Sequence, residues 1–270
     1  MHLNRIFGRT LLIPSLLLGV LPFAAAQTAQ DIGALKAKAE GGDAAAQFHL
    51  ARDYDAGAGV PQDYARAALW YRKAAEQDDA DAQFSLGLLY ENGQGVPQDY
   101  AQAAIWLRRA AEQNMANAEY FLGAAYLDGE GVPVDYTEGV RWTRKAAEQG
   151  FSAAQTDLAW FYSSGEYVPQ DYILAAYWYR KAAERGNSDG QVGLAALYEI
   201  GLGVPQSYSE AYFWMILAAA NPDLAGIYRF LAEQAAEERD RIALHLSNAE
   251  ISRVQERARK WFEDHPANSQ

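Results

Sequence analysis

The chain has no cysteine in its 270 residues, which excludes disulfides, thiolate zinc sites and a cysteine nucleophile. Basic residues are also few: 23 lysines and arginines stand against 35 aspartates and glutamates, a formal charge of −12. Such a chain has no excess of basic groups with which to displace phosphate counterions, so nucleic acid is excluded as an electrostatic partner. Histidine is scarce. Beyond His2 there are only His49, His245 and His265, no two of them at metal-ligand spacing on one helix. There is no G-x-S-x-G elbow, no S-x-x-K after residue 26 and no G-x-x-x-x-G-K-[ST] phosphate loop. These absences assign no catalytic residue, no metal site and no cofactor. Acidic side chains are plentiful enough that a carboxylate pair for glycoside chemistry stays open on sequence alone.

Long apolar runs are missing too, with one exception at the start. Met1 to Thr10 carries Arg5 and Arg9 and no acid, Leu11 to Phe23 is almost wholly apolar, and Ala24-Ala25-Ala26 ends the stretch with small residues. A positive start, an apolar run of about a dozen and an A-x-A end form a secretory signal, with cleavage expected before Gln27. The run is shorter than the ~20 residues of a spanning helix, and Pro14 interrupts it. No membrane span is therefore expected after cleavage. Removal of Arg5 and Arg9 takes the formal charge from −12 to −14. The bacterial periplasm is the expected destination.

What is present in abundance is repetition. Pro61, Pro97, Pro133, Pro169 and Pro205 follow one another at steps of 36 residues. Trp70, Trp106, Trp142, Trp178 and Trp214 keep the same step, as do the columns beginning at Leu50, Tyr54 and Gly57. Five units in unbroken register mark a helical solenoid, in which no unit buries its apolar face alone and neighbours must stack.

Each unit reads as two helices. Gln47, Leu50, Ala51 and Tyr54 lie at i, i+3, i+4 and i+7, one face of a helix. Ala51 alternates with Gly87, Gly123, Ala159 and Ala195, small residues suited to a close approach of backbones. Gly57 suits a left-handed helix end, and Asp63, Asp99, Asp135, Asp171 and Ser207 suit the N-cap of the second helix. The repeated tryptophans are expected in the core. Pairs such as Arg72/Glu76 and Arg144/Glu148, at i and i+4, read as a solvated face contributing a few tenths of a kcal/mol each.

Both ends are irregular. Leu35 to Glu40 reads as the end of a second helix, so the array opens with half a unit. The pattern fails at Asn221-Pro222, Leu224 to Leu246 reads as one long or two short helices, and Ser247-Asn248-Ala249-Glu250 is a capping box before a last amphipathic helix. The expected organisation is a signal over 1–26, a solenoid of half a unit plus five units over 27–222, capping helices over 223–264 and a frayed tail over 265–270.

The string from Ala80 to Gln113, with its turn glycines, proline, capping acid and tryptophan in order, resembles the Sel-one-like repeats, relatives of tetratricopeptide repeats with a longer turn. The likeness covers Asp43 to about Ala220. It implies an all-α fold, a right-handed superhelical solenoid of antiparallel helix pairs, that binds another protein on its concave side. A cysteine-rich secreted branch of the family is linked to β-lactam hydrolysis, and this chain lacks every one of those cysteines.

The five units also serve as a comparison with one another. Columns that agree hold the fold, and columns that diverge are free for function. By analogy with tetratricopeptide folds, one column lining the concave wall is Phe48, Phe84, Tyr120, Thr156 and Val192; another is Arg52, Leu88, Ala124, Trp160 and Ala196. The fourth unit departs furthest. It carries Trp160-Phe161, and Tyr167 replaces a glycine found in the other four turns. The expected partner-binding residues are Trp160, Phe161, Tyr167 and Tyr120, with Leu88 and Arg52 from earlier units. The opposing reading makes Trp160 and Phe161 packing residues that compensate a local change in stacking. The function expected is a non-catalytic periplasmic scaffold or adaptor whose partner is another protein, a basic toxin or an envelope component. The rival readings are an immunity protein against a secreted bacterial toxin and a cell-wall or β-lactam hydrolase.

Overall fold

The computed structural model describes residues 32–220 and 229–265. The signal over 1–26, the Asn221-Pro222 break and all of the tail beyond His265 lie outside the described residues. The described residues form helices joined by turns, with no strand among them. After α1 (32–40) come α2 (Ala44–Ala56), α3 (Tyr64–Ala75) and α4 (Ala80–Asn92). The second half holds α5 (Tyr100–Glu112), α6 (Ala116–Asp128), α7 (Tyr136–Glu148), α8 (Ser152–Ser164), α9 (Tyr172–Glu184), α10 (Ser188–Ile200) and α11 (Tyr208–Ala219). It closes with α12 (Arg229–Ala243) and α13 (Asn248–Asp264). The chain divides into two compact units, the first ending at Gln98 and the second beginning at Asp99. Within the first, α2, α3 and α4 pack in chain order; within the second, each helix from α5 to α11 packs on the next, and both α12 and α13 lie against α11.

The ends of the helices are set by the recurring residues. Asp63, Asp99, Asp135, Asp171 and Ser207 each accept a hydrogen bond from a backbone N–H of the first turn, satisfying a donor that the helix leaves unpaired. Gly57, Gly93, Gly129, Gly165 and Gly201 end the first helices in the left-handed region. Ser247 and Glu250 form the expected reciprocal capping box.

The same columns fill the core of both compact units. Leu50, Leu86, Leu122, Leu158 and Leu194 are fully buried. A Cβ on Gly123 would come within 3.0 Å of the Gly139 carbonyl oxygen and of the Thr143 backbone nitrogen, so the small column does mark where backbones nearly touch. Four of the five repeated tryptophans are buried, while Trp178 is only partly so. A cation covers the tryptophan face in the first three units: Lys73 over Trp70, Arg109 over Trp106, Lys145 and Arg141 over Trp142. In the fourth, Lys181 sits over Tyr177 instead, and Tyr179 fills the core.

The arginines have a tertiary role that the i,i+4 reading did not assign. Arg72, Arg108, Arg144 and Arg180 each donate to the hydroxyl of a tyrosine 18 residues on, in the next unit: Tyr90, Tyr126 (2.5 Å), Tyr162 (2.9 Å) and Tyr198 (2.6 Å). A second recurring bond runs backwards. The buried amides of Gln47, Gln83, Gln155 and Gln191 donate to the carbonyls of Ala39, Ala75, Ala147 and Ala183, each eight residues earlier near the end of the preceding helix. Such bonds satisfy polar groups that would be costly to bury alone.

Candidate functional site

The turn after each first helix explains what makes the fourth unit different. In four units the second turn position is glycine, and Gly59, Gly95, Gly131 and Gly203 all have φ near +70°. A Cβ on Gly131 would lie 1.9 Å from the Tyr100 carbonyl oxygen, and one on Gly203 would lie 2.0 Å from that of Tyr172. The glycine thus lets the turn rest directly on the first residue of the preceding unit's second helix. No side chain fits that seat.

Tyr167 stands where this glycine would be in the fourth unit, and it does not adopt a positive φ. The equivalent helix start beneath it is Tyr136, and the two rings meet with centroids 5.1 Å apart. Tyr167 also meets Phe161 edge-on at 4.9 Å and Trp160 at 6.3 Å. The result is an aromatic shelf of Tyr136, Tyr167 and Trp160 with Phe161 behind it. Tyr136 is 53% exposed and Trp160 42%, while Phe161 is only 3% exposed and belongs to the core with Val140 and Leu158. Phe161 therefore offers a partner no surface; it props the shelf from within.

The other candidates divide. Tyr120 packs on the same core cluster, its ring 5.1 Å from Phe151. Leu88 (half-buried) and Arg52 (exposed) lie in the first compact unit, the shelf in the second. Near Arg52, burial raises the Asp55 carboxyl above its ordinary range, opposed by a hydrogen bond from the Tyr71 hydroxyl at 3.2 Å. Tyr136 was not legible in the sequence. Its column, Tyr64, Tyr100, Tyr136, Tyr172 and Tyr208, is invariant, so comparison between units gives it no distinction.

Among the described residues no group of three or more His, Cys, Asp or Glu could hold a metal ion. His245 stacks on Tyr208 and His265 on Trp261. No helix among the described residues is long and apolar enough to cross a membrane.

Paired helices repeating every 36 residues, packed on their neighbours within each compact unit and tied by bonds that recur at the same register, define a helical-repeat solenoid protein. The chain belongs to the Sel1 repeat family, whose pattern matches residues 44–79, 80–115, 116–151, 152–187, 188–223 and 242–263. It is similar in structure to a Sel1 repeat protein from Oxalobacter formigenes, at 35% identity and TM-score 0.66, over 74% of this chain and 84% of that one. It is also similar to c5321, a protective antigen present in uropathogenic Escherichia coli strains and displaying an SLR fold, at 36% identity and TM-score 0.69. That match spans 88% of this chain and 53% of the antigen. The immunity protein Pa5087 from Pseudomonas aeruginosa is a distant match at 19% identity and TM-score 0.42, over 83% of this chain and 85% of that one; it carries no argument about function. A comparison with curated proteins yields no match. Proteins built from Sel1 repeats are typically protein-interaction scaffolds.

Proposed function

We propose that the protein is an exported, non-catalytic scaffold that holds a partner protein on the shelf of Trp160, Tyr167 and Tyr136, with Tyr120 extending the contact. The observation that carries this reading is the single turn glycine replaced by tyrosine. That change gives up a close backbone seat repeated elsewhere in the chain and sets there a half-buried ring, Tyr167, between the exposed rings of Tyr136 and Trp160. Large aromatics held rigid by neighbours are the side chains that most often dominate binding energy. Glu166 stands exposed beside Tyr167, and the chain is strongly acidic. Aromatic faces next to carboxylates favour a cationic contact, so the partner surface is read as basic. Neutralisation of a basic toxin is the narrower form of the same reading, and the partner's identity decides between the two.

The test begins with capture of the partner from a periplasmic extract and its identification by mass spectrometry. The intact mass of the recovered scaffold should correspond to a chain starting near Gln27. Trp160→Ala should then weaken the purified pair by about thirtyfold, the equivalent of about 2 kcal/mol. It should leave the melting temperature nearly unchanged. Unaltered affinity would remove the shelf from the interface. Turnover of labelled peptidoglycan or a chromogenic β-lactam by the pure protein would end the non-catalytic reading.

A further inference from the structure

The buried glutamine column contains one acid. Gln47, Gln83, Gln155 and Gln191 place an amide N–H on a backbone carbonyl eight residues earlier, and Glu119 occupies that register in the third unit, 1% exposed. Its fixed partner is Gln149, at the end of α7, whose side-chain N–H donates to Glu119 Oε2 at 2.6 Å. In the first unit Gln77 likewise donates to Gln47 Oε1 across the same 30-residue spacing, an acceptor role that a carboxyl can fill, whereas Oε1 of Gln155 and of Gln191 is buried without a partner among the described residues. The donor role differs. An ionised carboxylate has only lone pairs, whereas a protonated carboxyl has one O–H to give and one oxygen to receive, the pattern of an amide at this site.

We propose that Glu119 is a protonation latch: neutral, it completes the bonding scheme that glutamine provides in the other units, and ionised, it loosens the packing of α6 between α5 and α7. Burial is the main influence on this group and holds its carboxyl above the ordinary glutamate range, with Glu148 adding to that effect. The Gln149 hydrogen bond, Lys145 and Arg141 oppose it. All of these but Glu119 itself come from α7 or its C-cap. On α5, Arg108 is engaged with Tyr126 and Arg109 with Trp106, while Glu112 is exposed at the helix end. On α6, Asp128 lies at the opposite end from Glu119.

The sign follows from linkage. A folded-state affinity for the proton above that of the unfolded chain gives stability that is complete below the unfolded value of about 4.3 and is lost as pH rises through the folded value. The latch is thus firm in acid and weak at neutral pH, and each unit of upward shift corresponds to a tenfold change in the folding equilibrium.

Two measurements on the full secreted chain test this. Carboxyl carbon NMR, with the Glu119 signal assigned by its loss in Glu119→Gln, should show a titration midpoint above about 4.3. Gln149→Leu, which removes the donor that favours the ionised form, should move it higher. Thermal melts of the native chain and Glu119→Gln from pH 4 to pH 8 should diverge, with the glutamine variant gaining relative stability as pH rises. A Glu119 midpoint at or below 4.3, a fall in Gln149→Leu, or a gap between the two melting curves that stays constant with pH would each overturn the proposal.

Discussion

Trp142 and Trp178 hold the same place in successive second helices, but their surroundings differ. Trp142 is 6% exposed and covered by Lys145 and Arg141, whereas Lys181 turns from Trp178 to Tyr177. Trp142→Ala should therefore cost about 3–5 kcal/mol, the range for deleting a buried aromatic, and Trp178→Ala distinctly less. Urea denaturation of the two variants makes the comparison; equal losses would show that the tyrosines around Trp178 bury it as fully as the cations bury Trp142. At this scale the sequence told one unit from another only where a column varied. Trp160 and Tyr167 stood out because their siblings are different residues. Phe161 also stood out, yet three of its four siblings, Leu89, Ala125 and Leu197, are apolar and buried, Asp53 being the exception, and that company was the signal that it belongs inside. Glu119 differs from its siblings by one atom pair, an oxygen for an amide nitrogen, and only its burial reveals the consequence.

Between elements, the arginine–tyrosine bonds are the contacts that local rules could not supply. A helix surface places Arg144 one turn from Glu148, and the pairing rule for isolated helices stops there. In the folded chain the guanidinium reaches the Tyr162 hydroxyl, a partner in the next unit. A double-mutant cycle of Arg144→Ala and Tyr162→Phe should give a coupling of about 0.5–1 kcal/mol, since the bond is partly exposed to water. Full additivity of the two losses would reduce the contact to a surface decoration. Caps and turn glycines, by contrast, were legible in the sequence. Their partners lie three or four residues away, so spacing alone carries the geometry: Asp135 caps α7 through the Glu138 N–H, and Gly129 ends α6 with its N–H on the Ala125 carbonyl. The turn seat at Tyr136 was not legible, because it depends on a glycine in one unit meeting backbone in another.

Across the whole molecule, fold class and repeat register were legible because a 36-residue period repeats every short-range signal five times over. The recurring bonds span 8, 18 and 30 residues, each less than one period. No unit therefore needs to sense how many others the chain contains. The protein can be edited like text at line breaks. Excision of residues 152–187 would join Phe151 to Ser188 and hand each neighbour a ready substitute. Gln191 would inherit the Ala147 carbonyl, Tyr198 would receive Arg144, and Gly203 would come down on Tyr136 in place of Tyr167. Circular dichroism and melting should find the shortened chain helical and cooperative, while the partner no longer binds. A cut one residue longer should leave a less stable chain than this one, because it removes Ser188, the first residue of α10, and the helix start must re-form at the joint.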